Sequence, residues 1–382
     1  MIKYETEYLF SGERFKVIYQ IFEKFNKAKE VAEAICVEQT IEFPVELTGK
    51  SIKNHVIGKI EQIQEYQNSV VATISYPVEV VGNEPTQFFN VIMGNCSLFP
   101  NLKIIDLQLS MSVESIFPGP RYGISGLRER LSIHNRPFLA TAIKPMSLSS
   151  DELAEMAYRL ALGGIDIIKD DHGLADQPFS KFEERVVKVT EAVHRANRET
   201  GFHTIYAPNI TASEQVMIKR AEFVKKIGSG ALLVSVALCG FGSFITLRRE
   251  VDLPILSHPA FLGGYLSVMD FGVLFGNIQR MIGADVVIFP NYGGRFTFSK
   301  EDCRKIDRGL KDPFGSFKEA FPSPAGGMNV SATGDMISFY GKDVVLLIGG
   351  ALHKMGMDLT ENVKVFRNQI EKICQLSSLE ND

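Results

Sequence analysis

A lysine, two aspartates and a histidine stand side by side at Lys169, Asp170, Asp171 and His172, closing a mostly apolar run that begins at Ile165. Apolar runs of this kind form buried strands of parallel sheets, which tolerate charge at the carboxyl end, where α/β proteins carry their chemistry. A lysine among carboxylates is then either a buried ion pair at a strand end or part of a metal site. Which of the two holds depends on whether other strands end at the same face.

From about Phe138 onward, a short apolar run ending in polar or glycine residues recurs eight times, at 138–145, 165–172, 203–209, 231–238, 254–259, 284–290, 321–327 and 344–350. Helix-like segments fill the intervals. In 149–162, for example, Leu153, Met156, Ala157 and Leu160 fall at helical spacing behind Ser149 and Ser150 as caps. Eight strand–helix units in a row predict a (β/α)8 (TIM) barrel over 131–382, with a C-terminal helix at 361–374. A doubly wound open sheet is the runner-up and would not need eight. Residues 1–130 differ: 70–81 alternates like an antiparallel strand, with Pro77 suggesting an edge, 103–111 reads as a second strand, and 27–35 and 88–93 read as helix. This is an α+β module, expected to be ferredoxin-like, ahead of the barrel.

The 382 residues suit two domains, and 45% apolar with 23% charged residues allow a sizeable core. A net charge of −4 argues against nucleic acid or a membrane surface as the main partner. Without an 18-residue apolar stretch, and with an N-terminus lacking a signal-peptide core, the chain reads as cytoplasmic with no membrane span. Cys36, Cys96, Cys239, Cys303 and Cys374 have no metal-binding spacing and read as reduced packing residues.

Barrel enzymes place their active sites at the carboxyl face, so the strand ends supply the candidates. Lys144 ends the first strand; Lys169, Asp171 and His172 end the second; Asn209 the third; His258 the fifth; Asn291 and Arg295 follow the sixth. Gly326-Gly327 and Gly349-Gly350 end the seventh and eighth, where barrels commonly hold phosphate: without Cβ atoms, backbone N–H groups approach an anion closely. Lys144 is a candidate acid/base, and His258 a residue lining the pocket.

These residues, in this order, resemble the large-chain family of ribulose-bisphosphate carboxylase (RuBisCO). The resemblance is carried by Thr141-Ala-Ile-Lys-Pro145, by 163–171 (Gly-Gly-Ile-Asp-Ile-Ile-Lys-Asp-Asp), by Gln177-Pro-Phe179, by Ser323-Pro-Ala-Gly-Gly327 and by Leu347-Ile-Gly-Gly350, and it runs from about residue 15 to 370. It implies that Lys169 is carbamylated by CO2 and, with Asp171 and His172, holds Mg²⁺, whereas Asp170 matches a position that is not usually a ligand. His172 stands where the carboxylases have glutamate, which leaves another divalent metal open, because imidazole suits softer ions. The resemblance also implies a homodimer with shared active sites, Glu38 and Asn95 of one N-terminal module reaching the partner's barrel; Glu42 lies close to Glu38 as a second possibility.

Several departures remove the carboxylase's machinery. Met146 replaces a lysine that positions substrate, Pro259 an arginine that grips the second phosphate, Arg295 the mobile-loop lysine, and Ala325 a pocket serine. The pattern is that of a RuBisCO-like protein, not a CO2-fixing carboxylase. Three functions follow. The first is a metal-dependent isomerase or tautomerase of a monophosphorylated ketose such as 5-methylthioribulose 1-phosphate. The second is a decarboxylase of a 3-oxo sugar-acid phosphate, with Arg295 holding the carboxylate. The third is a non-catalytic regulatory protein. The base is Lys144, His172 or the Lys169 carbamate. Because Asp170 and Asp171 should stabilise the Lys169 ammonium, carbamylation is expected to depend on metal binding to its product.

Overall fold

The computed structural model describes residues 3–294 and 296–379. The N-terminal module contains four strands: β1 (Arg14–Ile21), β2 (Lys59–Tyr66), β3 (Ser69–Pro77) and β4 (Leu102–Gln108). They pair antiparallel in the order β2-β3-β1-β4, with helices Phe25–Glu38 and Pro85–Met93 in the connections. That βαββαβ arrangement is the expected ferredoxin-like one. Pro77 corrects one expectation: β3 is an interior strand, and the proline is tolerated because it is the strand's last residue, opposite Arg14.

Eight parallel strands form the second unit: β5 (Phe138–Ile143), β6 (Ile167–Asp170), β7 (Ile205–Ala207), β8 (Leu232–Val234), β9 (Ile255–Ser257), β10 (Val286–Pro290), β11 (Phe321–Ala325) and β12 (Val345–Ile348). They run in the order β7-β6-β5-β12-β11-β10-β9-β8, and isolated bridges Tyr206↔Gly230 and Asn209↔Leu233 join the two ends. The barrel is therefore the observed architecture. Each strand matches one of the eight apolar runs, and the helix after β5 begins as expected, with Ser149 and Glu152 forming a reciprocal capping box.

The barrel's floor sets its lower boundary. Helix Gly123–Leu131 inserts Ile124, Leu127 and Leu131 among the inward-facing Phe138, Ile167, Leu233, Leu256, Val286 and Phe321. Each such fully buried side chain contributes about 1.5–3 kcal/mol. Buried Asp285 accepts the backbone N–H groups of Tyr122 and Gly123 at the start of this helix (2.8 and 2.9 Å). A boundary at 130/131 thus cuts a helix that packs with the barrel, whose own packing begins at Gly123. A Cβ on Gly123 would lie 2.5 Å from the Glu319 carbonyl oxygen, and φ is +62°, so glycine is required there. The N-terminal module docks on the barrel through Phe89 against Phe241 (centroids 4.9 Å apart) and through backbone bonds of Ile104 with Val268 and Asp270. The C-terminal helix, Leu359–Leu379, buries Val363, Phe366 and Ile370. All five cysteines carry free thiols, and among the described residues no helix is long and apolar enough to cross a membrane.

Candidate active site

Strand alternation sorts the charged tetrad. Along β6, Ile167 faces the barrel interior and Ile168 the outer helices. Lys169 therefore points inward, between Ala142 and Ala207 on the neighbouring strands, and Asp170 outward. Asp170 is fully buried, and its carboxylate accepts from Arg185 Nε (3.2 Å), Tyr206 Oη (2.6 Å) and the Asn209 N–H (2.9 Å). Its bonds lie behind the site, away from the mouth that Lys169 faces.

Lys169 is also buried, and its ammonium donates to the backbone oxygen of Asp170 (2.9 Å). Burial pushes its pKa down to about 8; the nearby Lys144 charge adds to this, and Asp171 and Asp170 oppose it. The aspartates favour the ammonium, as expected, but desolvation outweighs them. Asp171 follows at the strand end. One oxygen accepts the Gly173 N–H (3.0 Å) and lies 3.4 Å from His172 Nδ1; the other is 3.9 Å from Lys144 Nζ. Lys144 in turn lies against the eighth-strand glycines: a Cβ on Gly349 would be 3.6 Å from its Nζ.

The His172 ring stacks on His258, centroids 4.4 Å apart and planes 10° from parallel. His258 Nδ1 accepts the Ala260 N–H (3.2 Å), which leaves the ring proton on Nε2. Burial, reinforced by the Lys169, His172 and Lys144 charges, holds its pKa down to about 2. His258 is therefore a neutral donor and not a proton carrier near neutrality. A kcat/KM profile over pH 5–9 should show no limb that His258→Gln removes. His258→Ala should lose about tenfold more activity than His258→Gln, which keeps an N–H.

Two expected substrate contacts are engaged in the scaffold. The Asn209 side chain donates to the carbonyls of His172 (2.9 Å) and Leu174 (2.8 Å) and accepts from Thr211, so it shapes the loop behind the ligand positions. The Asn291 amide donates to Met336 Sδ, and its oxygen accepts from Tyr340 Oη (2.8 Å). Both are buried, and both hold the frame. Arg295 lies outside the described residues. Gly326 and Gly327 adopt φ of +91° and +70° directly after β11, and Gly349 and Gly350 follow β12, so both glycine pairs stand at the mouth. In the N-terminal module, Asn95 Nδ2 donates to Glu38 Oε1 (2.9 Å) at the surface. Buried Gln39 fixes the pair by bonding the Asn90 and Val91 carbonyls and the Cys96 N–H. Glu42 lies beyond the helix end with φ +41°, so Glu38 is the glutamate placed with Asn95.

Among the described residues no three His, Cys, Asp or Glu side chains group for a metal ion. Asp171 and His172 could supply two donors, and Lys169 could become a third only as a carbamate, which requires a neutral amine. A buried amine brought down to about 8 reaches the neutral form far more readily than an ordinary lysine, so the donor set fits a carbamate-completed divalent site.

A family model described as "Ribulose bisphosphate carboxylase large chain, catalytic domain" matches residues 123–296, beginning at the floor helix. The crystal structure of a RuBisCO-like protein from Rhodopseudomonas palustris superposes with a TM-score of 0.87 at 35% identity, covering 94% of this chain and 98% of that one. The 5-methylthioribulose-1-phosphate isomerase of Rhodospirillum rubrum is 33% identical over 93% of this chain and 95% of its own length. The 2,3-diketo-5-methylthiopentyl-1-phosphate enolase of Geobacillus kaustophilus is 30% identical over 85% of this chain and 81% of its own.

Proposed function

The chain belongs to the RuBisCO large-chain family, among its RuBisCO-like members, and from that premise we propose that it enolises a monophosphorylated ketose of the 5-methylthioribulose 1-phosphate type, as an isomerase or tautomerase. Relatives named for an isomerase and an enolase of such compounds support this reading. The observation that carries it is the position of Lys144, whose ammonium sits between Asp171 and Gly349. One cation there lies near both the Asp171 carboxylate and the glycines after β12, so a phosphate held by the glycine pairs brings the adjacent carbons to Lys144.

The residues divide the work. The glycines of 326–327 and 349–350 hold the phosphate through backbone N–H groups. The Lys169 carbamate, Asp171 and His172 would hold a divalent cation, Mg²⁺ or a softer ion, which when bound polarises the substrate carbonyl and acidifies the neighbouring C–H. Lys144 moves the proton, and neutral His258 donates Nε2–H to a substrate oxygen. Met146 lays its methyl group over Gly173, and Pro259 follows His258, so the positions of a substrate-positioning lysine and of the arginine for a second phosphate in the carboxylases are apolar here. Glu38 and Asn95 complete the site of a second copy of the chain.

Proton NMR in D2O with Mg²⁺ and bicarbonate tests this. Deuterium wash-in from 5-methylthioribulose 1-phosphate, and none from ribulose 1,5-bisphosphate, is expected. CO2 release from a 3-oxo acid phosphate without exchange of the ketose would replace the proposal with a decarboxylase. Shared sites have their own test. Glu38→Gln and Lys169→Met proteins, each inactive, should regain about a quarter of wild-type activity when mixed and refolded together, because half the dimers are mixed and each has one intact site. No recovery would place Glu38 in its own chain's site or outside it.

A further inference from the structure

The fourth barrel strand, β8, supplies no side chain to the site described above. It runs into Ser235, which is 1% exposed and whose Oγ has no hydrogen-bond partner among the described residues. Buried hydroxyls are rarely left so, because burial removes water without replacing it. Helix capping does not employ this one: Ser235 precedes the short helix Val236–Cys239, but its side chain makes no capping bond there.

Strand alternation sets the direction of the hydroxyl. Along β8, Leu233 faces the barrel interior and Val234 the outer helices, so Ser235 points inward. Val234 pairs with Ser257, and the His258 N–H continues the pairing by donating to the Val234 oxygen (2.8 Å). Ser235 therefore stands beside His258, two residues beyond inward-facing Leu256. The ring order β6-β7-β8-β9 puts its strand between those of Lys169 and His258. Lys169 reaches across that interval: of the charges acting on His258, its own is the largest. On β5 and β7 the neighbours of Lys169 are Ala142 and Ala207, which carry no side-chain donor. Ser235 is also held in place. Its N–H donates to Thr211 Oγ1 (2.8 Å), which donates in turn to Asn209 Oδ1 (2.7 Å).

Carbamylation changes what Lys169 requires of its surroundings. The neutral amine attacks the carbon of CO2, an N–C bond forms, one C–O π pair moves onto oxygen, and the nitrogen gives up a proton to solvent. A donor thus becomes an anion with two acceptor oxygens. One oxygen can face a cation, and the other, inside the protein, needs a donor. The flanking alanines offer none, and the Asn209 amide is taken by two carbonyls. We infer that Ser235 is a positioning residue for the Lys169 carbamate, its Oγ–H donating to the oxygen turned away from the cation. This rests on the carbamate reading of Lys169. The hydroxyl is idle beside the amine and bonded beside the carbamate.

The test raises ¹³C-bicarbonate at fixed pH over the full-length protein with Mg²⁺ and follows the ¹³C carbamate signal. The variants are Ser235→Ala, which removes the hydroxyl, and Ser235→Thr, which keeps it. The alanine variant should need about ten-fold more CO2 for half-occupancy, as for loss of one hydrogen bond to a charged group, and should lose the carbamate about ten-fold faster on transfer to CO2-free buffer. The threonine variant should recover most of both losses. KM for 5-methylthioribulose 1-phosphate and kcat at saturating CO2 should move less. Without CO2 the hydroxyl has no bond to lose, so Ser235→Ala should unfold at no lower urea concentration than wild type. A lower midpoint there would make Ser235 a structural residue and overturn the inference. Half-occupancy of the alanine variant at the wild-type CO2 concentration, or a threonine variant as weak as alanine, would also overturn it and leave the carbamate standing. Absence of the ¹³C signal in wild type would remove the carbamate itself, and Ser235's role with it.

Discussion

Lys169→Met should abolish turnover and at the same time make the unliganded protein more stable. The loss follows from the proposed donor set: without the carbamate, Asp171 and His172 would be two donors, too few to hold a catalytic cation, so a fall of about 10³-fold or more is expected. The gain follows from burial. In the unfolded chain this amine titrates near 10.5, and in the folded protein near 8. The folded state therefore bears a cost on the order of 3 kcal/mol while both states are protonated, below pH 8. That cost shrinks between pH 8 and 10.5, where only the unfolded chain keeps the proton, and is absent above. Methionine is uncharged at every pH, so urea midpoints of the two metal-free proteins should differ at pH 7 and converge toward pH 10.5. The same titration governs activation: the rate at which CO2 confers activity should rise from pH 7 to 9 around a midpoint near 8. In wild type, ¹³C-bicarbonate should give a carbamate carbon signal that the variant lacks. Full activity in wild type stripped of CO2 would rule out the carbamate.

One residue along, Asp170→Ala should do the reverse in kind, damaging the fold before the chemistry. Its carboxylate faces Arg185, whose side chain is wholly buried, and also takes the Tyr206 hydroxyl, which burial and then the Asp170 charge keep in its protonated, donating form. Alanine strands that guanidinium in the protein interior, and breaking such a pair costs about 3–5 kcal/mol. A urea midpoint shift of that size is expected, together with loss of the turn that Asp170 anchors at Asn209. Asp171→Ala, by contrast, gives up a hydrogen bond from Gly173 worth about 1 kcal/mol and should shift its midpoint only by that much while losing activity. Equal midpoints for the two alanine variants would refute the division of labour between the adjacent carboxylates.

The barrel was legible because parallel strands buried on both faces read as unbroken apolar runs, and eight of them leave few alternatives. Lys144, Lys169, Asp171, His172 and His258 converge because each closes such a run, and strand ends meet at one mouth. Other features depend on partners distant in sequence. Asn209 and Asn291 have the residue type and position of substrate contacts, but the carbonyls of the His172 loop, Met336 and Tyr340 take their amides. β2 escaped notice because most of its side chains face solvent, which leaves it without an apolar run. Glu38 separates from Glu42 only once the helix is known to end at Glu38.

The ring of strands closes where β7 meets β8 through isolated bridges at Tyr206 and Asn209. Asn209 belongs to both sides of that event. Its backbone pairs with Leu233 across the seam, and its side chain grips the loop that presents His172. A chain whose ring stays open therefore has no shaped ligand loop, however complete its helices are. Far-ultraviolet circular dichroism would count such molecules as folded, whereas enzymatic turnover would pass over them. During refolding, regained activity is thus a tally of closed rings.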